Sequence, residues 1–373
     1  MHWRELAQTL VITLTAIVAS LLLYSLFIFV YAGVAPRALF YQIYLGGFGS
    51  TFSISNTLTR SSPLILTALC TALPARVGLI NIGGEGALMM GGLAAACAAL
   101  VLPGSPVLVV QIAMALAGML AGGLLIAAVG WLRTAHGVNE TISSLLMTYI
   151  AISVFNYLVE GPLRDPASLN KPSTYPVPED VMLGNIVPET GALRDAMLGL
   201  GDWMKVFADV HVGLLFGIAF CVFAYVLMYH TTFGFAARMV GGNVRAAQAS
   251  GLAVGKLIFV TCLLAGAAAG LAGMVEIGAV HRQANASLNA GYGFRGILVS
   301  FIARHHPLAI IPVAILFGSL DAAAGLVQRE LGEPEASLQV LMGIMFVLIL
   351  LCETFYGRFR VFQPRLVQEV VIA

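Results

Sequence analysis

Charged side chains are scarce in this sequence. Asp, Glu, Lys and Arg make up 10% of its 373 residues, against about 25% in an average soluble domain. Those present nearly cancel, for a formal net charge of +1. There is no basic surplus of the kind that neutralises phosphates, so no nucleic-acid partner is expected. Cysteine chemistry is missing too. Cys70, Cys97, Cys221, Cys262 and Cys352 lie in or beside apolar runs and form no CxxC pair, which fits small core hydrophobes. Neither GxSxG nor HExxH occurs, so no catalytic residue and no metal site is expected. The stretch Ser250–Lys256 ends like a nucleotide-binding loop, but Ser250 stands where that loop needs Gly, and Leu257 where it needs Ser or Thr. The chain is therefore expected to bind no cofactor, and any ATP is hydrolysed on another chain.

What fills the sequence instead is apolar: 59% of residues are hydrophobic. Leu10–Tyr31, Val107–Leu132, Val212–Tyr229, Leu257–Val280 and Leu338–Cys352 carry almost no charge. About 20 such residues span a bilayer as a helix, whereas outer-membrane strands would be shorter and would alternate. The expected fold is an all-α, polytopic transmembrane bundle forming a single domain over residues 1–373. Its spans are placed at 10–32, 61–79, 85–102, 107–131, 141–160, 211–229, 257–280, 294–303, 307–328 and 337–355. The 294–303 segment is short enough to be re-entrant, so eight to ten crossings fit. The first run exceeds the about 7–15 apolar residues of a signal peptide and is read as a retained helix. Forty glycines suit such a bundle, because small residues let backbones approach. Gly118/Gly122, Gly251/Gly255 and Gly266/Gly270 form GxxxG pairs, for which close helix packing is the first expectation within the spans.

Two hydrophilic stretches flank the run at 211–229. Residues 161–209 hold Pro162, Pro166, Pro172, Pro176, Pro178 and Pro188 and are more acidic than basic. Residues 231–256 hold Arg238, Arg245 and Lys256 and no acid. By the positive-inside tendency, the 231–256 loop, Arg133 and a tail with Arg358, Arg360 and Arg365 face the cytoplasm. The 161–209 loop then lies outside, and an even number of spans puts both termini in the cytoplasm.

Several polar motifs interrupt the apolar runs. In the basic loop, Gly241-Gly242 breaks the chain, Asn243 suits an N-cap, Val244–Ser250 makes about two helical turns and Gly251 fits the C′ position. A helix far below the about 12–15 residues needed in isolation must be held by packing. It is either an ordinary connector or a docking element, with Ala246, Ala247 and Ala249 letting another surface come close. At Asn81-Ile82-Gly83-Gly84-Glu85-Gly86, the glycines oppose a continuous helix. A carboxylate there needs water, a partner or free amides. Asn81 and Glu85 therefore either flank a solute path at a broken helix or, compatibly, Glu85 caps the next helix in the chain. Asn139 and Thr141 suit the cap of the next span, with Glu140 in its first turn. Gly291-Tyr292-Gly293-Phe294-Arg295-Gly296 echoes residues 81–86, as in transporters built from related halves. Arg304-His305-His306-Pro307 reads as a membrane-edge turn.

In this order, the segment Asn81–Gly86 with Ala-Leu-Met-Met-Gly-Gly, Gly137–Ser143, Gly241-Gly242-Asn243 with Ala246-Ala247 and Ser250-Gly251, and Gly291–Ile297 followed by Arg304–Pro307 resemble ABC-transporter permeases of the branched-chain amino acid/simple-sugar type. The nearest group is the nucleoside and simple-sugar importer permeases. The resemblance runs from about residue 60 to 350. It implies a bacterial inner-membrane, multi-pass importer subunit that moves a small polar solute by alternating access. The implied partners are a cytoplasmic ATPase, a second permease, here a paralogue, and an extracytoplasmic solute-binding protein. It implies a solute path near Asn81, Glu85, Asn139, Tyr292 and Phe294. It also implies an ATPase-coupling segment in the 231–256 loop, with Gly234, Gly241, Asn243, Ala246, Ala247 and Gly251. The Asn-Ile-Gly-x-Glu-Gly form resembles the nucleoside-type branch, while His136 and His305-His306 depart from the pattern. The rival from a different class is an ion-coupled secondary transporter with a relay through Glu85, Glu276 and Asp321. Against it, Glu276 and Asp321 fall toward span ends, where they need only snorkel or cap.

Overall fold

A computed structural model of the chain describes residues 2–353 apart from 169, 189–194, 196, 198 and 200. Arg358, Arg360 and Arg365 lie outside the described residues. Helices follow one another as α1 (His2–Ala32), α2 (Pro36–Phe48), α3 (Thr51–Ala75), α4 (Gly84–Val101), α5 (Val107–His136), α6 (Glu140–Glu160), α7 (Gly213–His230), α8 (Thr232–Gly242), α9 (Val244–Ala249), α10 (Val254–Val275), α11 (Tyr292–Ile302), α12 (Pro307–Leu331) and α13 (Ala336–Glu353). A π-helical turn, Glu276–His281, extends α10. Among the described residues there is no strand, only the bridges Ser173↔Asn285 and Asn185↔His211. Seven of the described helices are long and apolar enough to cross a membrane. Helix is the form these runs must take, because a bilayer offers backbone groups no other partner.

The chain divides into two compact units, Ser50–Ser319 and Met1–Gly49 with the chain from Leu320 onward. In the smaller unit α1 packs along α13, and the buried Tyr24 donates to Ser337 Oγ at 3.2 Å. Elsewhere α1 exposes Leu22, Leu26, Phe29 and Val30, the apolar surface a lipid-facing helix requires. Helix α2 was not foreseen. Pro36 in its first turn is a start signal, since a helix needs no donor there.

The larger unit is organised around α3, in which every residue from Ser61 to Pro74 is buried. This helix begins at Thr51, ten residues before the expected span. Its first turns are rich in Ser and Thr, and a helix enclosed by protein need not be lipid-like. Around it, α4, α5 and α10 meet through glycine. A Cβ on Gly122 would stand 2.5 Å from the Gly266 carbonyl oxygen and 2.8 Å from Gly270 Cα. One on Gly270 would overlap the Gly118 carbonyl. The close packing expected of Gly118/Gly122 and Gly266/Gly270 is therefore present, and the two pairs face each other. Gly251 and Gly255 have nothing within 4 Å of an added Cβ. Gly251 lies in the turn before α10 and Gly255 in the first turn of α10, and the pair packs nothing.

At the end of α10 away from α8 and α9, the described part of the proline-rich loop is pinned to the π turn and to residues 282–284 beyond it. Leu183 N–H donates to Gly278 O at 2.8 Å, Val177 N–H to Arg282 O at 2.7 Å and Thr174 N–H to Ala284 O at 3.0 Å. Helix α11 has 11 residues, about 16 Å at 1.5 Å per residue, so it cannot cross a bilayer alone.

Candidate functional site: a glycine-lined helix junction

Inside the larger unit the two glycine-punctured segments meet. Helix α11 opens at Gly291, whose φ of 78° favours a residue without Cβ. The first amides of a helix have no partner within it and form its positive end. Here the partner is Glu85, 206 residues away. Its Oε1 accepts from Gly291 N–H at 2.8 Å and its Oε2 from Gly293 N–H at 2.5 Å. The Glu85 side chain is fully buried. It caps a helix, as one of the two readings held, but the helix is α11 and not its own α4. Only glycine permits the approach, since a Cβ on Gly293 would overlap the backbone of Glu85 and Gly84.

Neighbouring polar groups fix both halves of the junction. Asn81 Nδ2 donates to Cys70 O at 2.9 Å, while its Oδ1 accepts from Gly83 N–H at 3.1 Å. Ile82 N–H donates to Ser144 Oγ at 3.1 Å. The Thr67 hydroxyl donates to Tyr292 O at 3.0 Å. Arg295 Nη2 donates to Ala290 O at 2.7 Å, and its guanidinium lies 4.6 Å from the Tyr292 ring centroid. The fold thus brings Asn81, Glu85 and Tyr292 together. Phe294 follows on α11, 38% exposed. Asn139 is exposed at the start of α6, where its Oδ1 accepts from Ile142 N–H at 3.1 Å, and so serves as the cap its sequence position indicates. Thr67 and Ser144 were not singled out in the sequence, and Cys70 was expected only as a small core hydrophobe, since all three are ordinary small residues of apolar helices.

A second arrangement occupies the basic loop. Thr231 caps α8 by accepting from Gly234 N–H at 3.2 Å. Helix α8 runs through Gly241 and Gly242 to Asn243, so these glycines do not break the chain. Gly241 is retained because it abuts the Arg76 carbonyl, which a Cβ would overlap. Asn243 Oδ1 accepts from Ala246 N–H at 3.1 Å and starts α9. Gly251 closes it with φ +78°. Ala247 is fully buried and packs inward, so it offers nothing to an outside surface, whereas Ala246 and Ala249 are exposed. Beside α9 opens a cavity of about 560 Å³, lined in part by Gly78, Arg133, Gly241, Asn243 and Gln248.

Residues 53–350 match the family model described as "Branched-chain amino acid transport system / permease component". The chain belongs to this permease family. It is 32% identical over 320 residues to the glucose ABC transporter permease protein TsgB13 of Haloferax volcanii, covering 84% of this chain and 79% of that protein. It is 28% identical to the guanosine ABC transporter permease protein NupP of Bacillus subtilis, covering 91% and 92% of the two chains. Identity to the nucleoside ABC transporter permease protein NupB of Lactococcus lactis subsp. cremoris is 26%, over 91% and 90%. The permease is thus a multi-pass membrane transport subunit, not an enzyme, and works with partner subunits such as an ATPase. Membership also sets aside the ion-coupled rival. The geometry agrees at Glu85, which spends both oxygens on helix amides, but Asp321 sits mid-way along α12 (Pro307–Leu331). Its expected position toward a span end was wrong, because α12 continues past it to Leu331. Glu276 is buried, with Oε2 3.4 Å from His281 Nε2.

Proposed function

We propose that this permease imports a neutral polar solute, a nucleoside or simple sugar, as the pore-forming half of an ATP-driven transporter. The observation that carries the solute class is the charge balance at the junction. Glu85 is consumed by the amides of Gly291 and Gly293, and Arg295 is held by backbone oxygen. What remains nearby is hydroxyl, amide and aromatic surface, the mixture a small uncharged polar ligand uses. The names of the glucose, guanosine and nucleoside relatives support the same class.

In this reading the 161–209 loop is extracytoplasmic and receives a solute-binding protein. Residues 231–256 and both termini are cytoplasmic, and a second permease, a paralogue of this chain, completes the pore. ATP is bound by an ATPase that grips α9 from outside, touching the exposed Ala246 and Ala249. Closure of the ATPase pair pulls this hairpin and switches the pore between its two openings. The test is uptake of labelled guanosine, uridine and glucose by the assembled transporter. Uptake should survive a protonophore and stop on ATP depletion, and Ala246→Trp should abolish it while also weakening ATPase co-purification. Uptake that collapses with the ion gradient, or is indifferent to Ala246→Trp, would overturn the reading.

A further inference from the structure

Arg76, the residue just beyond α3, joins four elements. Its Nη2 donates to Tyr229 Oη at the end of α7 and to His305 O in the turn after α11, both at 2.7 Å. Its guanidinium lies 5.2 Å from the Tyr229 ring centroid, and Arg238 of α8 lies 5.5 Å from the same ring. The Arg76 carbonyl abuts Gly241 at the end of α8. The buried Arg76 Nε has no hydrogen-bond partner, although an unmade buried bond is costly. A side chain kept for stability alone would be expected to complete its bonds.

What gives this cluster meaning is its place in the chain. From Arg76 the backbone runs through Gly78, which faces Gly241, to Asn81, pinned to Cys70, and on to Glu85. Glu85 holds the first amides of α11, while Arg76 holds the His305 carbonyl just past the other end of α11. The segment 76–85 therefore clamps α11 at both ends, and its first residue touches the hairpin α8–α9. We propose that Arg76 is a positioning residue for transport, making segment 76–85 and α11 follow the hairpin as one body. This rests on the reading that an ATPase acts on that hairpin.

The test uses the complete transporter, with its ATPase and binding protein, reconstituted in vesicles. Uptake and ATP hydrolysis are measured on the same preparation, and their ratio is the readout. Arg76→Gln removes the charge and its fork of donors. Uptake per ATP should fall about tenfold, within the about 5–150-fold usual for coupling between sites. The ATPase should still co-purify, and hydrolysis should stay within about twofold, a small fraction of that coupling range. Arg76→Lys should restore part of the ratio. Tyr229→Phe keeps the ring and deletes one bond, so it should lower the ratio less and in the same direction. If Arg76→Gln fails to assemble, Tyr229→Phe decides by the same ratio. An unchanged ratio, or uptake and hydrolysis falling by one common factor, would overturn the role of Arg76. Indifference to Ala246→Trp would instead count against the hairpin as docking site, so the two failures are distinct.

Discussion

Replacing Glu85 by alanine isolates the physical claim at the centre of the junction. In the native chain the carboxylate satisfies two buried amides at the start of α11. Without it each amide is a buried donor lacking an acceptor, at about 1–3 kcal/mol apiece. Loss of an anion at a helix N-terminus adds up to about 2 kcal/mol when the site is partly buried. The sum is at least about 2 kcal/mol before any cavity is counted. Glu85→Gln fills the same volume and keeps one acceptor, but it turns an amide donor toward another donor, so an intermediate loss is expected. Unfolding in detergent can be followed by the reaction of a thiol dye with the buried Cys70, Cys221 and Cys262. At about 2.1 cal/mol/K of unfolding entropy per residue, a chain of 373 residues shifts by roughly 1 °C per kcal/mol, so Glu85→Ala should lower Tm by about 2 °C or more. Uptake should be lost even below that temperature, because α11 is no longer held to α4. A Tm indistinguishable from that of the wild type would refute the capping role. So would Gln and Ala behaving alike.

Further expectations rest on neighbouring contacts. Gly293→Ala drives a methyl into the Gly84–Glu85 backbone; overpacking of this kind costs about 1–3 kcal/mol, and uptake should vanish in an assembled complex, as a vesicle assay would show. Asn243→Ala removes the cap of α9, about 1 kcal/mol, and should weaken ATPase co-purification about fivefold. His305 is held neutral, its pKa lowered to about 4 by burial and by the nearby Arg76 charge. Its unfolded value is about 6.5, so it contributes stability above pH 6.5 that is lost as pH falls toward 4, at most about 3 kcal/mol. Tm measured against pH should drop through that window, and His305→Gln should flatten part of the drop. His211, lowered mainly by burial and opposed by Glu276, should keep some slope in place.

The spans were legible because an apolar run has one structural outcome in lipid. The start of α3 was not, because Ser55, Thr57 and Ser61 look like loop until neighbouring helices enclose them. Local caps were also legible. Asn243 and Gly251 bound α9 as their chemistry requires, and Asn139 caps α6. Long-range choices were not. Nothing local distinguishes a glutamate that caps its own helix from one that caps a helix 206 residues later, since both present a carboxylate beside glycines. Ala247 is a similar case: the sequence offers three alanines in four positions, and only the packing decides which turns inward. The Arg76 cluster left a fainter trace, a lone cation closing an apolar run.

Glycine shows where this limit lies. Gly118/Gly122, Gly266/Gly270 and Gly251/Gly255 are the same motif, yet the first two pairs bring α5 and α10 into backbone contact and the third touches nothing. Spacing cannot separate them, because a glycine records only that a side chain is missing. Their surroundings can. The packed pairs sit in uncharged runs with no proline or acid nearby, where each flanking residue already favours a buried helix face. Gly251 and Gly255 stand between Ser250 and Lys256, and Gly251 carries φ +78°, so its role is a turn. Gly241 and Gly293 belong to neither class. Each faces a carbonyl or amide of another element, and they are the points at which segment 76–85 is gripped. Glycine in an apolar run therefore reads as packing. Where it stands at the border of a polar segment, as at 241 and 293, it reads as a close backbone contact between elements.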